Sequence, residues 1–270
     1  MPRLSMNEFS TFRWTFDEDV QRYRQAGYSG IGVWRRKLAD FGEEKGIELL
    51  LESGLDVSNL LWAGGFTGSS GLSFQESVDD ALEAVRLGAA LGAECLVIHP
   101  GGRNNHIQRQ AWRLFEEALA MLLPLAEVLG VKLALEPMHP AAAQQWTFIT
   151  SIHAAIDMLA RFQSPHLGIV LDLYHFGRDC EAMDHVLEHV HQIAVVHLAD
   201  SRSQPHDDQD RCLLGQGEIP LRCAIERLEQ AGYRGYYDVE LVGPEIVPEQ
   251  YARVVSGSRQ AVGNICPAIL

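Results

Sequence analysis

The feature that most constrains this chain is an eightfold alternation. Short β-rich apolar runs, each closed by turn residues, occur at Leu4–Glu8, Gly30–Trp34, Leu55–Trp62, Cys95–His99, Lys132–Glu136, Leu167–Asp172, Ile193–Leu198 and Tyr236–Leu241. Helical periodicity fills the intervals, clearest over Phe74–Leu91, Gln108–Leu129, Ile149–Phe162 and Leu221–Ala231. Spread over 270 residues, eight strand-helix units take about 34 residues each, which is what a closed (β/α)8 barrel needs. With 47% hydrophobic residues there is enough apolar matter for one large core, and no linker divides the chain. The reading is therefore an α/β TIM barrel, one domain over residues 1–270. A doubly wound open sheet shares the alternation, but no GxGxxG follows the first strand and no GxxxxGK[ST] occurs anywhere, so it ranks second.

In a barrel the chemistry sits where strands end and loops begin. The strongest loop signals, AGGFTGSSG from Ala63 to Gly71, PGGRNN from Pro100 to Asn105, and Ser201 to Gly217, all follow strands. Four consecutive strands finish on side chains able to bind a metal: Glu136 in LALEP, Asp172 in VLDLYH, His197 in VVHLAD and Glu240 in DVEL. Their separations of 36, 25 and 43 residues each approximate one strand-helix unit, so a barrel brings them together on one rim. A single strand-end carboxylate is as often a helix cap or a salt-bridge partner. Four in succession, flanked by Leu and Val, need a neutralising charge, and a divalent cation supplies it. Three carboxylates and one imidazole suit Mn²⁺, Mg²⁺ or Co²⁺ better than a structural zinc, with Zn²⁺ also accommodated.

These residues carry a resemblance. Glu136, the Asp172 and His175 pair in DLYH, His197 in HLAD and Glu240 in VEL, with SMNEFSTFRW, AGYSGIGVWRRKLAD, VIHPGG, EPMHP and DRCLLGQGEI, resemble the xylose-isomerase-like TIM-barrel superfamily, whose members include sugar isomerases, ketose 3-epimerases, inosose dehydratases and endonuclease IV. The resemblance implies that Glu136, Asp172, His197 and Glu240 bind the metal and that Glu136 and Glu240 double as the acid and base. It implies that His99 and His175 face the substrate or help a second ion, that Arg211 reaches substrate oxygens, and that Asp200 lies just outside the metal shell. It also implies that such barrels often pair as homo-oligomers. Where an endonuclease-like member would carry Asp-x-His, this chain has Asp210, Arg211 and Cys212, so a third metal is not expected.

Composition narrows the partners. Thirty-six Asp and Glu against 22 Lys and Arg leave a net charge of -14, a field that repels phosphate backbones and anionic lipids. Neither nucleic acid nor membrane is expected as a partner. The opening MPRLSMNEFS lacks an apolar stretch, and the longest apolar run, Ala118–Ala126, is far short of the ~20 residues that span a bilayer. The expected location is cytoplasmic. Five scattered cysteines without a CxxC suggest reduced, structural thiols.

Other nucleophiles are scarce. There is no GxSxG, and of Lys37, Lys45 and Lys132 only Lys37 is placed to reach the rim, which disfavours Schiff-base chemistry. His185 and His189, four apart on a helix without a HExxH acid, read as a surface pair. His139 is divided between pocket and solvated loop. Trp34 and Trp62 end strands as sugar-facing walls or as core aromatics, and the Ala63–Gly71 loop is either a lid or a series of turns.

The expected activity is metal-dependent isomerisation or epimerisation of a small polyhydroxy carbonyl compound, an enzyme of carbohydrate metabolism working through a cis-enediolate. The alternatives are an inosose-type dehydratase on the same site, an endonuclease IV-like phosphodiesterase, and a catalytically silent sugar- or protein-binding barrel. The substrate is a sugar or cyclitol. Arg103 and Arg211 alone near the rim give little to hold a phosphate, which weakly favours an unphosphorylated one.

Overall fold

A computed structural model describes residues 3–266. Eight strands, β1 (Arg3–Asn7), β2 (Gly30–Trp34), β3 (Asp56–Gly64), β4 (Leu96–His99), β5 (Leu133–Leu135), β6 (Leu167–Asp172), β7 (Ile193–Leu198) and β8 (Tyr236–Val239), close into one barrel in sequence order. Every neighbouring pair is parallel, including β1 with β8. Closure excludes the open doubly wound sheet. The helices are α1 (Phe16–Ala26), α2 (Arg35–Phe41), α3 (Glu43–Ser53), α4 (Phe74–Leu91), α5 (Gln108–Leu129), α6 (Pro140–Ala143), α7 (Ile152–Phe162), α8 (Leu173–Phe176), α9 (Cys180–Glu188), α10 (Leu221–Ala231) and α11 (Tyr251–Ile265).

Sequence periodicity places α4, α5 and α10 at their observed bounds. Helix α7 begins at Ile152 instead of Ile149, because Ser151 accepts the Ala154 N–H and caps it. Helix α4 is delimited at both ends: Ser73 and Glu76 form a capping box, and Gly92 leaves the helix at φ 61°. Strand β3 runs two residues past Trp62, so Ala63 and Gly64 pair with β4 and do not open the following loop.

Two cores follow from the period-two alternation of strand side chains. Outward-facing residues join the helices in the large shell cluster. Inside the barrel a smaller cluster contains Cys95, Val97, Ala134, Val170, Val195 and Tyr236. Counting by twos from these inward residues leads to His99, Glu136, Asp172, His197, Asp238 and Glu240, so the apolar floor itself aims the polar groups at the mouth.

Candidate metal centre

The strand ends deliver what the spacing promised. Asp172 closes β6 and pairs in register with His197 of β7, while Glu136 and Glu240 lie one residue beyond β5 and β8. All four are buried. Each offers a ligand atom, and those atoms all lie within 4.8 Å of one another. His197 Nδ1 stands 2.7 Å from Glu240 Oε2 and 3.5 Å from Glu136 Oε1.

Two carboxylates thus converge on one imidazole nitrogen. Burial opposes charge on His197, but Glu240 and then Glu136 raise its pKa well above the ordinary value. Burial would raise Glu136, yet the neighbouring His197 outweighs it and brings the carboxyl down to about 2. Glu240 is likewise lowered, against its burial, chiefly by His197. Despite its closeness, the His197 Nδ1 and Glu240 Oε2 pair lacks hydrogen-bond geometry, and both atoms are buried without a partner. Orphaned donor atoms crowded to 2.7 Å in a dry site fit a shared cation. The residues present therefore suit a divalent metal.

Asp172 divides its oxygens. Oδ1 accepts the Tyr174 N–H at 2.7 Å and caps α8, the helix-cap role considered for any strand-end carboxylate. Oδ2 takes the Arg211 guanidinium at 2.8 Å. Arg211 also holds Asp208, Nη1 to Oδ1 at 3.3 Å, and lies 4.5 Å over the Tyr174 ring. The loop from Ser201 to Gly217 is thereby fastened over the mouth. Its other end is tied by Asp200, whose carboxylate accepts the N–H groups of Ser201, Gly215, Gly217 and Ile219. Asp200 organises this loop; it is not among the clustered ligand residues.

His99 ends β4 with Nε2 at 3.2 Å from Glu136 Oε2, and His175 on α8 lies 3.7 Å from Asp172 Oδ2. Burial lowers both imidazoles, His175 to about 4, so both are neutral near pH 7. Phe9, Trp62, Met138, Trp146, Asp208 and Arg211 help wall the small chamber above the cluster. Sequence reasoning did not find Phe9, Met138, Trp146 or Asp208. Burial, then repulsion from Glu240, Glu136 and Asp172, lifts the Asp208 carboxyl to about 7 against the pull of Arg211.

Beneath the cluster lies another missed residue, Asp238. It accepts from Ser5 Oγ, Asn7 Nδ2 and Asn59 Nδ2 at 2.6, 2.7 and 2.8 Å and comes within 4.0 Å of His197 Nε2. The signal was available: Asp238 precedes Glu240 by two on the same strand and must share its face. Gly32 makes room, since a Cβ there would meet Asp238 Oδ2 at 2.5 Å.

The remaining expectations fall elsewhere. Lys37 does not reach the mouth; it is buried against Asp19 and donates to the carbonyls of Glu8 and Thr11. His139 caps α6, its Nδ1 accepting the Ala141 N–H at 3.3 Å. His185 lies on α9 and His189 just past its end, both partly exposed, and Glu188 completes a second cluster of metal-competent atoms with them. No helix of the described residues is long and apolar enough to cross a membrane.

Comparison with known proteins adds the family context. Residues 20–259 match the family described as xylose isomerase-like TIM barrel. The chain is 28% identical over 147 residues to a probable endonuclease 4 of Mycoplasma mobile, covering 51% of each chain. It is 30% identical over 138 residues to an inosose isomerase of Bacillus subtilis, covering 48% of this chain and 46% of the relative. The chain thus spans about half the length of the curated relatives it matches. Among solved structures, the IolI protein with a bound zinc atom superposes with a TM-score of 0.85 at 21% identity, over 99% of both chains.

Proposed function

Because the chain belongs to the xylose isomerase-like TIM barrel family, we propose that it is a divalent-metal-dependent isomerase or epimerase of a small polyhydroxy carbonyl compound, an unphosphorylated sugar or cyclitol. The observation that carries this reading is the convergence of Glu136, Asp172, His197 and Glu240 within 4.8 Å at the mouth, with two glutamates on one imidazole. The similarity to an inosose isomerase supports it.

Glu136, Asp172, His197 and Glu240 would hold Mn²⁺, Mg²⁺, Co²⁺ or Zn²⁺. When bound, such a cation supplies Lewis acidity to a carbonyl and its neighbouring hydroxyl oxygen. The other roles belong to side chains. One glutamate removes the proton from the carbon beside the carbonyl, giving an enediolate. If the second glutamate, after taking up a proton from solvent, delivers it to the opposite face the product is an epimer, and delivery at the adjacent carbon exchanges aldose and ketose; the first glutamate then loses the abstracted proton to solvent. Arg211 places a guanidinium where negative charge develops on oxygen. His99, neutral because buried, orients a hydroxyl from the chamber wall, His175 stands behind Asp172, and Trp62, Trp146 and Phe9 keep water out.

The match to a probable endonuclease 4 makes phosphodiester hydrolysis the competing chemistry. The net charge of -14 weighs against it. So does Cys212, which is buried and bridges by backbone to Asp200 where Asp-x-His would be needed.

The test is metal-loaded protein screened on ketoses and inososes with and without chelator, together with Asp172→Asn and Glu240→Gln. Isomerisation that chelation abolishes, with about one divalent ion per chain lost in both variants, is expected. Unchanged metal content in both variants contradicts the ligand assignment.

A further inference from the structure

The chamber above the cluster is only about 20 Å³, but next to it lies a cleft of about 460 Å³, a size typical of ligand sites. The two spaces share Leu61, Trp62, His99 and Trp146 as lining and so lie side by side. Trp34, Arg35 and Asp80 line only the outer part.

The outer walls are held by aromatic packing and hydrogen bonds. The Trp34 and Trp62 rings lie 18° from parallel with centroids 6.4 Å apart. Phe9 packs edge-on against both, at 5.5 and 5.6 Å, and fixes their orientation. Both indoles remain partly exposed. Arg35 is clamped by Asp80 through two hydrogen bonds of 2.8 and 2.9 Å and donates to the Trp62 carbonyl at 3.2 Å. Its charge is matched, so it offers the cleft hydrogen-bonding edges without net attraction for an anion. Flat indole surface beside a neutral polar fork suits a pyranose, whose C–H face stacks on an aromatic quadrupole while its hydroxyls take the polar edge.

The distances set the reach. From Glu136 Oε2 to His99 is 3.2 Å, from the His99 ring to Trp62 6.0 Å, and from Trp62 to Trp34 a further 6.4 Å. Trp62 lines both spaces and Trp34 only the outer one, so a group stacked on Trp34 lies outside the chamber that holds Glu136 and Glu240.

We propose that this cleft is a subsite for a second, uncharged sugar ring, so that the preferred substrate is a ketose carrying a glycosyl substituent. The proposal rests on the isomerase reading for what occupies the inner chamber. It makes Trp34 a specificity-determining residue remote from the reacting carbon. Arg36, exposed at the same rim and without an ion pair among the described residues, offers the contrasting ligand, a phosphorylated ketose.

Binding by Mn²⁺-loaded protein is measured by calorimetry for fructose, fructose 6-phosphate, turanose, maltulose and isomaltulose, the last three being glucosyl-fructoses of different linkage. At least one glucosyl-fructose should bind about tenfold more tightly than fructose. Trp34→Ala should weaken that ligand about 3- to 10-fold, the worth of one aromatic face, with fructose unchanged. Trp34→Phe should restore most of the loss, which separates stacking from damage to the fold. Equal affinity for fructose and every disaccharide, a clear preference for fructose 6-phosphate, or an equal loss for both ligands in Trp34→Ala overturns the proposal. Failure of the isomerase reading is recorded separately: Trp34-dependent disaccharide binding without turnover of any ketose leaves the subsite standing and removes the reaction, whereas turnover without disaccharide preference does the reverse.

Discussion

At the residue scale the centre depends on a polar layer that the apolar barrel would not otherwise tolerate. Asp238 is fully buried and anchored by Ser5, Asn7 and Asn59, and its Oδ2, held by the two asparagine amides, stands 4.0 Å from His197 Nε2. A carboxylate behind a ligating imidazole fixes ring orientation and raises its basicity. Asp238→Asn should therefore weaken divalent-metal binding about 10- to 100-fold while circular dichroism stays native. Undiminished affinity would remove Asp238 from the positioning role. The four cluster residues were legible in the sequence because a strand's period of two and a barrel's strand order together fix which side chains meet. Asp238 was equally determined and was missed because it was read one position at a time. Trp146 and Asp208 had no such signal: they sit in irregular segments whose path no periodicity sets.

At the element scale, strand and helix existence followed from pattern, and the errors lie at ends. Strand β3 gains Ala63 and Gly64 because Gly64, at φ 143°, lets the chain run against His99; a Cβ there would fall 1.7 Å from the His99 carbonyl oxygen. Gly64→Ala should accordingly displace His99 and lower activity more than an average surface change would. A helix cap gives a simpler check: Ser73→Ala removes one side of the α4 capping box and should cost about 1 kcal/mol of stability by denaturant titration. The segment after β1 holds a buried charge cluster that sequence could not anticipate, since Glu8, Asp19 and Lys37 come from three elements. Burial, then the Asp19 charge, raises the Glu8 carboxyl well above its ordinary value, against Lys37. Between the ordinary and the raised value the folded chain keeps a proton that the unfolded chain releases, so stability from this site falls as pH rises. Glu8→Gln is neutral at every pH and can still accept the Trp34 N–H. Its Tm relative to wild type should climb from pH 5 to pH 8. A constant or shrinking difference would show that Glu8 ionises normally.

At the scale of the whole molecule, the closed barrel brings side chains from four strands to one point, and the acidic surface selects what can approach it. With a net charge of -14, few cations are available to release counterions from a nucleic-acid backbone. A duplex with an abasic site should be neither bound nor cut at physiological salt, and efficient cleavage would favour the phosphodiesterase reading. The central claim is that Glu136 and Glu240 move a proton on a carbon beside a carbonyl. The most direct test is NMR of Mn²⁺-loaded protein in D₂O with a panel of ketoses, glucosyl-ketoses and inososes. Solvent deuterium should enter that carbon in at least one substrate, and Glu136→Gln and Glu240→Gln should each abolish its entry. Product that forms without solvent deuterium, or exchange that survives in both variants, would contradict the account.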